Sequence, residues 1–145
     1  MLFFSDFSFL AFQLVPIFPS PPPIPMILPF LAARLRSIGC ALKGIAILIR
    51  TQPNAQLHLA ATLGAIAVGF LLRLERWEWV AILLCIGLVW AAEALNTAIE
   101  FLADEVDTSH RPGIGKAKDV AAAGVLIAAV ISILIAGVIL AHHLL

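Results

Sequence analysis

From Val120 to Leu140 the chain runs twenty-one residues without one ionisable side chain. A membrane-spanning helix needs about 20 predominantly apolar residues, so this segment alone directs the chain into a bilayer. Composition agrees. Of the 145 residues 62% are hydrophobic and 12% charged, with a mean hydropathy of +1.06. Soluble domains carry about a quarter charged residues, so a water-soluble globule is excluded. Nine basic and nine acidic side chains cancel, which leaves nucleic-acid binding without an electrostatic basis. Cys40 and Cys85 are the only cysteines and both sit in apolar stretches. Neither a disulfide framework nor a zinc cluster is implied. The length suits one domain.

Residues 1–30 stand apart, with seven of the nine prolines, including the run Pro21, Pro22, Pro23. Proline lacks an amide donor and breaks helices, so no span is expected here. No Lys or Arg precedes Arg34, and a secretory signal would need a basic start. The expectation is a disordered leader or an over-extended start, with Met26 as the initiator. Residues 31–50 carry Arg34, Arg36, Lys43 and Arg50 among Leu35, Ile38, Leu42, Ile45 and Leu48 at helical spacing. That pattern predicts a basic amphipathic helix in the membrane interface, ended by Pro53.

Three spans are predicted, at about 55–73, 77–103 and 118–143. The first is short for a span. The second opens on Trp77 and Trp79, which resemble an interfacial aromatic belt. The third ends at His142 and His143. Of the basic residues, seven lie before the first span or between the second and third, and two (Arg73, Arg76) lie between the first and second. By the positive-inside rule the N-terminus and the 104–119 loop face the cytoplasm. The fold class is an all-α membrane protein with a surface helix and three transmembrane helices.

The informative stretch lies in the second span. Glu93, Asn96, Thr97, Glu100 and Asp104 are spaced by 3, 1, 3 and 4, and every residue between Glu93 and Asp104 outside this set is apolar. At about 100° per residue they share an arc of roughly 100°. If the apolar band begins near Trp79, a core of about 30 Å ends near Ala98 at about 1.5 Å per residue. Glu93 then lies inside the cytoplasmic leaflet and Glu100 near the interface. A carboxylate at Glu93's depth costs at least a few kcal/mol unless protonated, paired or hydrated. Helix-to-helix hydrogen bonding would account for a single Asn. Two carboxylates, an amide, a hydroxyl and a further Asp on one face point to chemistry, with Glu93 as a candidate general base.

Residues 104–119 read DEVDTSHRPGIGKAKD. Lys118 and Asp119 are expected at the first turn of the third span, where a helix N-terminus with a lysine can hold phosphate. A snorkelling lysine beside a helix cap is the ordinary alternative. Together with Glu93 and Glu100, however, the set matches phosphoryl transfer: carboxylates for a divalent metal, a lysine for phosphate and a semi-buried base. No Walker-type glycine loop is present.

The run Glu93-Ala-Leu-Asn96-Thr97-Ala98-Ile99-Glu100, then Asp104 and Ala117-Lys118-Asp119-Val120-Ala121-Ala122, resembles the prokaryotic diacylglycerol kinase family, which includes the undecaprenol kinases. The resemblance extends upstream through Asn54 and His58 to Lys43-Gly44 and covers about residues 31–143. It implies a small lipid kinase of the inner (plasma) membrane, multi-pass and homotrimeric, with sites shared between subunits and ATP as donor with Mg2+. It implies Glu93 as catalytic base and Glu100 as metal ligand. Asn96 is implied as the signature's polar partner, and Lys118, Asp119 and Arg34 as nucleotide contacts. Two positions depart from the family. A second metal-binding Glu, usual before the first span, is matched by Gln52, whose amide oxygen brings no charge. The family's loop histidine falls on Arg111, with His110 one residue earlier. Either diacylglycerol or undecaprenol fits as the acceptor; the DVAAAGV segment and the Asn54 to His58 stretch lean toward undecaprenol. A small transporter using Glu93 as an ion or proton site is the alternative from another class. An inactive relative, motivated by Gln52, is a third.

Overall fold

A computed structural model describes residues 27–106 and 111–144, all within four helices and their short connections. They are α1 (Ile27–Thr51), α2 (Pro53–Leu72), α3 (Arg76–Val106) and α4 (Pro112–Leu144). The last three are long and apolar enough to cross a membrane, at 20, 31 and 33 residues. The chain is therefore an all-helical integral membrane protein. The leader before Ile27 and the loop residue His110 lie outside the described residues.

The chain divides into two units, before and after the Gly39–Cys40 boundary. The described part of the first is helical, with the Arg34 guanidinium 5.3 Å from the centre of the Phe30 ring. The second unit contains the rest of α1 and the three spans. There α3 packs chiefly on α4 and secondarily on α2. Its apolar core is thin, built from residues such as Leu48, Ala55, Ile82, Val89, Ala128 and Ile139. Large apolar side chains such as Leu71 and Ile133 point outward, as expected where the surroundings are hydrocarbon and helices gain little by hiding leucines from one another.

Prolines set the helix starts. Helix α1 begins at Ile27 rather than 31, because Pro29 falls in its first turn, where a missing amide is harmless. Helix α2 begins at Pro53, with Gln52 in extended conformation as its N-cap. Helix α4 begins at Pro112, well before the expected 118. The Arg111 carbonyl accepts from the amides of Ile114 and Gly115, and proline's fixed φ suits the first helical position. Lys118 and Asp119 are thus in the second turn of α4, which corrects their expected place at its N-terminus.

The α2–α3 turn is tight. Arg73 adopts a left-handed conformation (φ 56°, ψ 49°). Its amide donates to the Phe70 carbonyl at 3.2 Å, and the Leu74 amide donates to the Gly69 carbonyl at 3.0 Å. This is a Schellman closure with arginine where glycine is usual. Trp79 folds back on α2, with its ring 5.0 Å from that of Phe70. Gly69 makes room for it: a Cβ there would lie 2.8 Å from Trp79 Cη2. Helix α3 is capped from within, the Glu75 amide donating to Glu78 Oε2 at 2.8 Å, in the manner of a capping box. Glu78 is buried and also bonds His143 Nε2 from the end of α4, at 2.9 and 3.1 Å. This ties the start of α3 to the end of α4.

Candidate active site

The polar stripe of α3 faces inward where the bundle is deepest. Glu93 is 1% exposed, Asn96 5% and Thr97 4%. Glu100 is half-buried and Asp104 exposed. Burial thus falls steadily along the helix, as expected for a face that enters the protein from one interface. At 31 residues α3 is about 46 Å long, more than a core of about 30 Å requires, so its Glu100–Asp104 end can reach water.

The stripe is wired along its length. Asn96 Nδ2 donates to Glu100 Oε1 at 3.0 Å, an i, i+4 contact that orients the Glu100 carboxylate. One turn on, Lys118 Nζ from α4 donates to Asp104 Oδ1 at 2.9 Å. Lys118 therefore reaches the end of the stripe from its position in the second turn of α4. Asp119 is exposed on the same helix. Gln52 is half-buried and its side chain makes no capping bond. Arg34 belongs to the first unit and lies over Phe30.

Sequence reasoning did not single out His58 as a site residue. It projects from α2, and its Nε2 lies 4.0 Å from Glu93 Oε2. Nearby, Trp90 Nε1 donates to Thr62 Oγ1 at 3.0 Å, fixing α2 against α3. A polar residue within a span, one turn after Asn54, was the signal available. The Glu78–His143 pair at the other end of α3 was also missed, because nothing local in the sequence links residues 65 apart.

Among the described residues, four buried side-chain atoms have no hydrogen-bond partner within the protein: His58 Nε2, Glu93 Oε2, Asn96 Oδ1 and Thr97 Oγ1. Buried polar atoms in finished interiors are nearly always paired, and orphans cluster where a ligand or a reacting group completes the set. Here all four lie around one stretch of α3. Two apolar recesses adjoin it. One of about 380 Å³ lies between the later part of α1 and α3, bordered by Gly44, Leu48, Thr97 and Phe101. The other, of about 450 Å³, runs between α2, α3 and α4 and has His58 among its walls.

In the stripe, the half-buried Glu100 carboxylate and the unpartnered amide oxygen of Asn96 are oxygen donors. That suits Mg2+, which takes one or two carboxylates and completes its shell with water and substrate phosphates. Among the described residues no group of three His, Cys, Asp or Glu side chains could hold a metal by itself, so the chain's share would be of this partial kind.

The chain is 43% identical over 93 residues to an undecaprenol kinase of Bacillus subtilis, covering 64% of this chain and 76% of that protein. It is 34% identical over 112 residues to a diacylglycerol kinase of Synechocystis, covering 77% of this chain and 64% of that one. Residues 39–140, which include every stripe residue along with Gln52, His58, Lys118 and Asp119, match the family model for prokaryotic diacylglycerol kinase. The chain belongs to the prokaryotic diacylglycerol kinase family.

Proposed function

We propose that this kinase-family protein transfers the γ-phosphoryl group of ATP to the hydroxyl of a membrane lipid, diacylglycerol or undecaprenol, at the cytoplasmic face of the plasma membrane. One observation carries the reading: a carboxylate, Glu93, is buried within a spanning helix with an oxygen that has no partner. A buried orphan carboxylate is costly, and a general base poised for an incoming hydroxyl gives it a use.

In the reaction the lipid oxygen attacks the γ-phosphorus, the bond to the ADP oxygen breaks, and the hydroxyl proton passes to Glu93. The hydrocarbon part stays in the bilayer while ATP arrives from water. Much of the rate then comes from holding the two at one level. Asn96, Lys118, Asp119 and Arg34 bind the nucleotide. Asp104 holds the Lys118 ammonium at the end of the stripe until a phosphate offers it a better partner. Glu100, oriented by Asn96, and Gln52 would hold Mg2+, which would neutralise phosphate charge. The functional unit is a homotrimer, with the N-terminus and the 104–119 connection in the cytoplasm. The Synechocystis and Bacillus relatives carry the two lipid names, and the acceptor is taken from that pair.

The test is direct. Purified protein in mixed micelles receives γ-labelled ATP, Mg2+ and either lipid. The expected result is label on the lipid hydroxyl. Label appearing only as inorganic phosphate, or no transfer to either lipid, refutes the reading.

A further inference from the structure

Among the described residues two polar contacts join α3 to α4, one near each end. Glu78 meets His143 near the start of α3, and Asp104 meets Lys118 near its end. From Glu78 to Asp104 is 26 residues and from Lys118 to His143 is 25, about 39 and 38 Å of helix at about 1.5 Å per residue. The two ties therefore agree on one axial register for the antiparallel pair. The stretch between them carries little register of its own. On α4 it includes the uncharged run from Val120 to Leu140. Ser132 turns its hydroxyl back to the Ala128 carbonyl of the same helix at 2.7 Å. The buried α4 side chains Val125, Ala128 and Ile139 are apolar. Apolar contacts are not directional, and within hydrocarbon an apolar side chain gains little by choosing a helix over lipid. Sliding α4 by one turn, about 5.4 Å, exchanges one apolar neighbour for another.

The two ties are unequal. Lys118 and Asp104 are 37% and 68% exposed, and exposed ion pairs hold little. Glu78 is 0% exposed and His143 20%. The Glu78 carboxylate is also fixed on its own helix by the Glu75 amide, and the His142 ring stands edge-on to that of His143, with centres 5.5 Å apart. Opening a buried pair strands a charge, which is costly, so this tie resists slipping where the other yields. We propose that Glu78 and His143 are positioning residues: their buried contact fixes the register of α4 on α3 and so sets the level at which Lys118 meets phosphate at the far end of the stripe. This rests on the kinase reading, in which Lys118 binds ATP. The division of labour follows from that role. The Lys118 ammonium leaves Asp104 for a phosphate in each turnover, while the tie at the other end stays closed and keeps the register.

A slip has a specific consequence. One turn carries Lys118 about 5.4 Å along α3, out of its 2.9 Å contact with Asp104. Glu93, Asn96 and Glu100 all belong to α3, so the base and the carboxylate proposed for the metal keep their places. Only the share of the site supplied by α4 is displaced. The effect of a lost register is therefore on the nucleotide and not on the lipid, although the residues that set it lie about 38 Å of helix away.

The experiment compares the full-length protein with three variants. His143→Leu removes the tie. Glu78→Gln with His143→Leu removes it without stranding a charge and keeps an acceptor for the Glu75 amide. His143→Gln keeps an N–H donor. Gly69→Ala, at the α2–α3 turn, is the control for lost stability alone. Two measurements are made: steady-state transfer in mixed micelles with ATP and lipid varied in turn, and the rate of Lys118 acylation by a water-soluble amine reagent without ATP, read by mass spectrometry. Loss of one hydrogen bond to a charged group corresponds to about tenfold. We expect KM for ATP to rise by that factor in both variants carrying Leu, KM for the lipid to stay as in wild type, and Lys118 acylation to quicken. His143→Gln stays near wild type in all three, and Gly69→Ala changes neither KM for ATP nor acylation. A double variant with wild-type KM for ATP and wild-type acylation overturns the positioning role. So does a Gly69→Ala variant that reproduces both changes, or a His143→Gln variant no better than Leu. A double variant that fails to assemble makes the pair a requirement of folding and overturns the role as well. Wild-type protein that transfers no phosphate overturns the kinase reading, and Lys118 acylation then decides the register by itself.

Discussion

Replacing Glu93 by Gln should separate activity from stability, and in opposite directions. The substitution keeps the shape of a side chain that is 1% exposed and removes its charge. For catalysis, the loss is that of a general base, typically 10²–10⁴-fold in kcat. For folding, the structure shows little to lose, because Glu93 Oε2 makes no hydrogen bond and His58 stands off at 4.0 Å. The carboxylate's burial is instead a liability of about 3 kcal/mol for an acidic side chain within the bilayer. Expected, then, is a variant at least a hundredfold slower whose resistance to thermal or SDS unfolding is unchanged or raised. The measurements are lipid phosphorylation in mixed micelles and unfolding of the same preparation. Sites built for chemistry often relax when disabled. A Gln variant that keeps more than about a tenth of wild-type kcat would refute Glu93 as base. One that is inactive and clearly less stable would show that the carboxylate holds the bundle together and that its activity role was misread.

Four further outcomes follow from particular contacts. Gly69→Ala should destabilise by about 1–3 kcal/mol through overpacking, since its Cβ would lie 2.8 Å from Trp79; unfolding titrations check it, and Trp79→Phe in the same chain should restore part of the loss. Arg73→Gly should stabilise by up to about 1 kcal/mol, because a left-handed residue at φ 56° favours glycine; a lower midpoint would mean the arginine side chain matters more than its backbone. Asp104→Asn frees the Lys118 ammonium from its 2.9 Å partner and should shift KM for ATP severalfold with little change in KM for lipid, measured with each substrate varied in turn. Gln52→Glu adds a charged oxygen ligand and should lower the Mg2+ concentration at half-maximal rate; an unchanged Mg2+ dependence would remove Gln52 from the metal site.

The sequence reached the architecture because membrane helices advertise themselves by length and apolarity, as the uncharged run from Val120 to Leu140 does. The stripe was legible for a related reason. Polar residues in an apolar helix are rare, so Glu93, Asn96, Thr97 and Glu100 at helical spacing stand out against their neighbours. Helix starts were less legible. Pro29 and Pro53 read as breakers and Pro112 carried no signal, yet each stands within the first turn of its helix, where proline is at home. Hence α4 opens before 118, and Lys118 is reached through its contact with Asp104 and not through a helix N-terminus. Pairings between helices were illegible altogether. His58 with Glu93, and Glu78 with His143, join positions 35 and 65 apart, and no local pattern encodes such partners.

The two buried carboxylates of α3 illustrate the difference between a structural and a reactive charge. Glu78 and Glu93 lie on the same helix and both are nearly inaccessible. Glu78 accepts from the Glu75 amide and is engaged twice by His143 Nε2, so its carboxylate is held from two sides and anchors the end of α4. Glu93 has a histidine at hand as well, but held 4.0 Å away, and one of its oxygens is left without any partner. If burial alone called for pairing, both acids would be expected to close on their imidazoles, for the fold that brings His143 to 2.9 Å could do the same for His58. That only Glu78 is closed marks it as the structural acid and leaves the Glu93 carboxylate able to accept a proton, as the proposed general base must.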